Sequence, residues 1–419
     1  MLQCTIEGIS HRGEGVARPD GVVTFIPNAI PGEKVSLDII EKSRRFQRAR
    51  LIEVLEPSPH RVEPPCPYYF ACGGCSYQHI TYAAELDFKR QVVSDNLKHI
   101  GGINGEVNPV KGMPSPWRYR NKVTLHLQNI RGENSLGYYH PQSHRPIAID
   151  RCLLISPAME NVLQELRVVL KKVEALQGQV IIRQDALNNL LVLIQTRYLN
   201  RESQIQISNS ISAANLLWQD EKVKLHTIKG NPWLEERIGE LKYRLSPLAF
   251  FQVNRRQCQV LYDEVKTMAH LDPSMRVLDA YCGTGTISLY LAREADSVLG
   301  VEAFAPAVED ARINAGLNNI NNCRFQAAPC EVLLPQLDQN FDLVVIDPPR
   351  AGCMPQVLDA LIHKAPPSLI YVSCNPATLA RDLKILTANG YNISSVQPID
   401  MFPRTHHVET VVLMSRVKD

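Results

Sequence analysis

The 419-residue chain carries 45 Lys and Arg against 43 Asp and Glu, a formal net charge of +2, with 45% hydrophobic residues. That length holds two or three domains with substantial cores, and the near-neutral balance excludes bulk charge as the source of any nucleic-acid affinity, which must come from local patches. No apolar run approaches the roughly 20 residues of a membrane span, and Met1 to Gly15 lacks the basic start and apolar stretch of a secretory signal, so a cytoplasmic protein is expected. Its eleven cysteines then need a use other than disulfides, because the cytosol keeps thiols reduced and an odd count is a poor disulfide framework.

Residues 1–56 read as short strands broken by turn signals, among them Gly13 to Gly15, the hairpin signal Pro19-Asp20-Gly21 and Pro31-Gly32. Strands at this spacing predict a small β-barrel. Five basic residues and no acid lie between Lys42 and Arg50. On a barrel such a run fits a phosphate backbone, although a basic run is often only a solvated face. Pro57-Ser58-Pro59 and Pro64-Pro65 make a rigid connection to a mixed α+β region, 57–244, with a helix over Ala83 to His99 and strands at Val123 to Leu127, Gln179 to Ile182 and Leu191 to Gln195. Arg118, Arg120 and Lys122 alternate, which predicts one strand with all three on one face. Trp117 and Tyr119, interleaved with them, suit either base stacking or the core.

From 245 to 419 strands and helices alternate. The strands are Arg276 to Asp279, Ser297 to Val301, Phe341 to Ile346 and Leu369 to Val372, and the helices Ile287 to Arg293 and Ala305 to Asn318. This predicts an α/β fold with a doubly wound, mainly parallel sheet. Asp279-x-x-Cys282-Gly283-x-Gly285 falls between a strand and a helix, where Gly283 and Gly285 let backbone approach a ligand. Glu302 closes the next strand, where a carboxylate can accept hydrogen bonds from a ribose diol. A Gly-x-Gly alone is a weak signal and also fits a dinucleotide. With Asp347-Pro348-Pro349-Arg350 downstream, the combination resembles class I methyltransferases, which implies S-adenosylmethionine as the cofactor.

Cys374, in Ser373-Cys374-Asn375-Pro376, follows an apolar strand and so sits at the carboxyl end of the sheet, where such folds bind ligands. A buried inert thiol is the ordinary alternative. Glu409 stands directly before the apolar run Thr410 to Met414. Methylation of uracil C5 needs a thiolate to add to C6 and a base to remove the C5 proton, and Cys374 and Glu409 are candidates for the two roles. Cys66, Cys72 and Cys75 are spaced C-x5-C-x2-C, with Cys152 downstream. Three clustered thiols and one distant one suit a metal or an iron–sulfur cluster, structural zinc being the main alternative. No C-x3-C-x2-C run is visible, so radical chemistry is not expected.

Several of these stretches, with Trp117-Arg118-Tyr119-Arg120-Asn121-Lys122, Phe250-Phe251-Gln252-Val253-Asn254, Cys374 to Asp382 and Met401-Phe402-Pro403-x-Thr405-x-His407-Val408-Glu409, give the chain its resemblance to bacterial uridine-C5 RNA methyltransferases over essentially its whole length. The resemblance implies a class I methyltransferase domain, an OB-like N-terminal TRAM barrel that binds RNA, Cys374 as nucleophile and Glu409 as base. It implies Gln252, Tyr281, Glu302 and Asp347 around the cofactor and uracil, and a [4Fe-4S] cluster on Cys66, Cys72, Cys75 and Cys152. A TRAM-like barrel with four cluster cysteines resembles the members acting on 23S, large-subunit, ribosomal RNA, while some archaeal relatives of the same layout act on the T-loop of tRNA. No obligate protein partner is expected. Thr286, where relatives often carry Asn, and Ala327-Ala328-Pro329, in place of polar residues near the adenine, depart from the family. The rival readings are a non-catalytic, cluster-bearing RNA-binding protein and a methyltransferase acting on an exocyclic nitrogen or on protein. Neither needs the cysteine.

Overall fold

The computed structural model describes residues 2–141, 143 and 146–417. The first six strands, Leu2–Thr5 to Gln47–Glu56, form one sheet in the order 1-5-6-4-3-2 around Ile6, Ala17, Ile26, Val35, Leu37 and Ala49. Buried Glu33 anchors it to the following connection by accepting from Arg61 Nη2 at 2.8 Å. A turn at Gly13, with φ +78°, lies against Tyr77 and His406, where an added Cβ would come within 2.9 Å of both. Of the basic run, Arg48 pairs with Glu14 (2.7 Å) and Arg50 with Asp38 (3.2 Å). Lys42, Arg44 and Arg45 are exposed, and among the described residues no carboxylate pairs with them.

The second body is a seven-stranded sheet in the order Leu225–Lys229, Asn215–Gln219, Leu190–Thr196, Gly178–Gln184, Lys122–Ile130, Glu133–Tyr139, Pro146–Ala148. Helix Pro157–Leu170 is N-capped by Ser156 and turns Met159, Val162, Leu163 and Leu166 onto one face. The strand expected over Trp117 to Lys122 does not form. Arg118 takes φ +56° and the ladder begins only at Lys122. The bend puts the three cations in different places. Arg118 pairs with Glu160 at 2.5 Å and donates to the Ile155 carbonyl. Arg120 faces the cysteine-rich segment. Lys122 is half-buried beside Arg183, and burial first, then that guanidinium, pulls its ammonium down to about 8. The shared basic face is absent.

The third sheet, numbered along the chain from Arg276–Ala280 to Glu409–Arg416, has the order 3-2-1-4-5-7-6. Its first five strands run parallel, and the last pairs antiparallel with both Ser368–Ser373 and Tyr391–Ile399. Strands Leu343–Ile346 and Ser368–Ser373 are buried almost throughout, which is why they read as unbroken apolar runs. Helix Tyr82–Asn96 covers most of the stretch expected over Ala83 to His99, and a single π-helical turn, Leu97–Gly101, follows it. Val93 and Leu97 join the core of the third sheet, as do Leu241, Tyr243 and Leu245 from the hairpin Leu234–Leu245. Among the described residues no helix is long and apolar enough to cross a membrane.

Candidate active site

The sheet order reverses between Arg276–Ala280 and Leu343–Ile346, and side chains at the carboxyl ends of these strands line a cleft. Gln252, Asp279, Tyr281, Gly283 and Asp347 line it. Tyr281 and Gly283 take φ +66° and +54°, which opens the loop, and Gly285 at φ +78° starts helix Thr286–Ala292. A Cβ on Gly285 would press on Ala311 and Phe325 at 3.0 Å, so this glycine serves close packing behind the cleft. Glu302 reaches the same loop from the neighbouring strand: its carboxylate accepts from Gly283 N–H at 3.2 Å and Phe304 N–H at 2.7 Å.

Asp279, which the motif contains but the sequence reasoning gave no role, is fully buried in the cleft wall. Ser288 donates to one of its oxygens at 2.5 Å, while the other has no partner among the described residues. Burial pushes its carboxyl up to about 7. The Tyr281 hydroxyl is likewise buried without a partner. Thr286 also lines the cleft, but Tyr262 donates to its hydroxyl at 2.8 Å, so that oxygen is already engaged. Ala327, Ala328 and Pro329 do not belong to the lining of this cleft.

Cys374 and Glu409 meet across the antiparallel ladder. Ser373 is the register partner of Thr410, which sets the next residue of one strand against the preceding residue of the other. Cys374 occupies the turn into helix Pro376–Ala388, which Asn375 caps by accepting from Ala377 N–H at 3.1 Å. The turn is fastened to the Asp347–Arg350 segment, because Asn375 Nδ2 and Thr378 Oγ1 donate to the Arg350 carbonyl at 2.9 and 3.3 Å. Burial and then the carboxylates of Glu409 and Asp347 hold the Cys374 thiol up to about 11, opposed by Arg350. Glu409 is buried at 4% exposure, and burial followed by Asp347 pushes it up to about 8. Burial also holds Asp347 up to about 7. Three carboxyls crowd one low-dielectric site, an arrangement that favours a cationic ligand. His406 and His407 are kept neutral, since burial lowers them to about 4 and about 3.

On the other side of the 401–407 loop, Cys66, Cys72, Cys75 and Cys152 all line a second cavity, together with Arg120 and Tyr138. None is in a disulfide. Burial pushes Cys72 up to about 11 and Cys75 up to about 12. Among the described residues no three His, Cys, Asp or Glu side chains stand close enough to hold a single metal ion.

The family model described as tRNA (Uracil-5-)-methyltransferase matches residues 81–417, and that of the TRAM domain matches residues 2–52. A Bacillus cereus protein described as an uncharacterized RNA methyltransferase is 38% identical, over 100% of this chain and 97% of its own. A Clostridium tetani protein of the same description is 37% identical over 99% and 96%. The crystal structure of Pyrococcus abyssi tRNA (uracil-54, C5)-methyltransferase in complex with S-adenosyl-L-homocysteine superposes with a TM-score of 0.79 at 26% identity, covering 99% of this chain and all of that one. Sheet order and cleft thus define a class I methyltransferase. The chain belongs to the tRNA (Uracil-5-)-methyltransferase family, as an S-adenosylmethionine-dependent RNA (uracil-5-)-methyltransferase with an N-terminal TRAM domain.

Proposed function

We propose that the protein methylates C5 of one uridine in a structured RNA through a covalent adduct on Cys374. The observation that carries this reading is the cross-strand placement of Cys374 and Glu409, with Asp347 of the cofactor cleft acting on both. The Cys374 thiolate adds to uracil C6, and the displaced electron pair makes C5 nucleophilic. C5 then takes the methyl group from the sulfonium, whose C–S bond breaks to leave S-adenosylhomocysteine. Glu409 removes the C5 proton, the C5–C6 double bond re-forms, and the C6–S bond breaks to return the thiolate. The uridine must leave its stack to reach the thiol. Gln252, Tyr281, Gly283 and Asp347 surround the cofactor. Glu302 braces its loop from behind and Gly285 sets the packing beneath it. Asp279 would add a buried carboxylate able to balance positive charge on the bound cofactor.

For the cysteine cavity we propose a [4Fe-4S] cluster on Cys66, Cys72, Cys75 and Cys152. In such a cluster each thiolate holds a different iron, so the sulfurs ring a cavity and need not converge on one ion. A bound cluster would also keep ionised the thiols that burial otherwise holds protonated. The methyl transfer needs no electron, and the cluster's contribution is to fold the segment.

Large-subunit (23S) ribosomal RNA is our first reading of the substrate, from the barrel combined with the four cysteines. A tRNA T-loop uridine is the second, favoured by the whole-chain likeness to the Pyrococcus abyssi enzyme. Labelled S-adenosylmethionine offered with unmodified rRNA and tRNA transcripts separates them. 5-Methyluridine in the rRNA alone supports the first, in the tRNA alone the second. Label in neither, with cluster and cofactor loaded, refutes the reaction.

A further inference from the structure

The loop that delivers Glu409 is not held by its own domain alone. Between strand Tyr391–Ile399 and Glu409 the chain crosses to the cysteine-rich segment and to helix Tyr82–Asn96, and Arg404 is at the centre of the crossing. It is 8% exposed and has φ +66°, a left-handed conformation uncommon outside glycine, Asn and Asp. Its N–H donates to Glu85 Oε1 at 2.8 Å, and its carbonyl accepts from Ser76 and Tyr77 N–H at 2.9 and 3.1 Å, directly after Cys75. Its guanidinium donates to the Ile80 carbonyl at 3.1 Å and lies 4.6 Å from the Trp117 ring centre and 5.1 Å from that of Tyr82. The flanks are pinned as well. Fully buried Lys89 donates to Asp400 at 2.5 Å and to the Phe402 carbonyl at 3.2 Å, and Ser76 Oγ accepts from His406 N–H at 2.8 Å. A strained, desolvated arginine persists only where its surroundings over-determine it, and such strain gathers at functional sites.

Cys374 has no share in this knot. Its turn is held by Asn375, Thr378 and the Arg350 carbonyl. The nucleophile is braced by its own sheet and helix, whereas the base shares that sheet through the Ser373–Thr410 pairing and is held in addition, through Arg404, by the cysteine-rich segment. We infer that Arg404 is a positioning residue for Glu409, through which the Cys66–Tyr77 segment sets the proton-removal step while leaving the addition and methyl-transfer steps intact. The inference rests on the covalent reading above and gives the cysteine-rich segment a defined effect on catalysis.

The test compares wild type, Arg404→Ala and Arg404→Lys in single turnovers on transcripts carrying protium or deuterium at uridine C5. Denaturation-resistant RNA–protein adduct and 5-methyluridine are both measured. Arg404→Ala is expected to slow product release from the adduct about 10-fold or more, to raise the adduct fraction, and to increase the deuterium effect. Lysine keeps the charge over the aromatic rings and should restore part of each. A proportional loss of adduct and product, with an unchanged deuterium effect, means Arg404 only supports folding and overturns the inference. If the alanine variant does not fold, Arg404→Lys decides: wild-type adduct and isotope effect overturn it, and an intermediate shift supports it. A 5-fluorouridine transcript, whose C5 carries no removable proton, serves as control. Failure of the wild type to form a stable adduct on it would refute the covalent reading itself, a different result from a silent Arg404.

Discussion

Cys374 on one side and Cys72 and Cys75 on the other have thiols pushed above their ordinary range by burial, yet their surroundings are built in opposite ways. Cys374 lies on regular structure: a buried strand leads to it, a capped helix leaves it, and an antiparallel partner brings Glu409 opposite. Cys66, Cys72 and Cys75 lie on a segment with no ladder of its own. Its shape comes from contacts with distant parts of the chain, such as Gly73 N–H to the Tyr139 carbonyl at 3.1 Å and Ser76 to Arg404. A site on strands and helices is placed by backbone hydrogen bonds whether or not a ligand is present. A site on a loop depends on its neighbours and on whatever it binds.

This contrast can be broken by substitution. The largest effect is expected from Cys374→Ala, with methyl transfer falling at least about 10⁴-fold while calorimetry finds S-adenosylmethionine binding retained. Methyl transfer that survives sinks the covalent route. Glu409→Gln should cost about 10² to 10⁴-fold in turnover and accumulate adduct. Because burial and Asp347 hold Glu409 up to about 8 and its ionised form is the base, wild-type turnover should climb as pH rises through that value. A rate profile of the glutamine variant should lack that limb. The double variant Cys72→Ser, Cys75→Ser should lose bound iron and sulfide and melt several degrees lower, on the order of 2–4 °C for each 1 kcal/mol, with the fold of the third sheet kept. Iron content equal to wild type would remove the cluster from the account. The smallest effect concerns the carboxyls. Asp279, Asp347 and Glu409 all have folded values above their unfolded ones, at about 7, 7 and 8. Their protonation stabilises the fold fully below the unfolded values, and this contribution is lost as pH rises through the folded values. The ligand-free protein should melt a few degrees lower at pH 8.5 than at pH 6, and Asp347→Asn should flatten the difference. A melting temperature that rises across this range would show that the three carboxyls are not held protonated.

How much of this was legible followed the same division. The runs at 276–280, 297–302, 343–346 and 368–373 were readable because both faces of a parallel strand are buried, leaving apolar stretches bounded by glycine and polar breaks. Tyr281, Gly283 and Asp347 were legible because they follow strand ends, whereas Gln252 came only from the family resemblance of the stretch 250–254. Strand Tyr391–Ile399 was not visible, since it mixes Asn and Ser into its first half and shifts register between Ile393 and Ser395. The alternation of Arg118, Arg120 and Lys122 mimicked a strand that the left-handed turn at Arg118 prevents. Arg404 left no local signal, because most of the groups that define it lie more than 300 positions away, as with Glu85 at a separation of 319.

The last strand, Glu409–Arg416, is inserted between two others. Its hydrogen-bond ladder, more than the loop before it, fixes which residue faces Cys374. Insertions or deletions in the 401–407 loop can therefore alter how the base is approached without changing its identity. A slip of one residue in the ladder would do the reverse, turning Glu409 to the other face of the sheet and presenting Val408 or Thr410 to the thiol. The catalytic pair is, in this sense, a property of strand register, and selection on the apolar run Thr410 to Met414, which sets that register, is also selection on the chemistry.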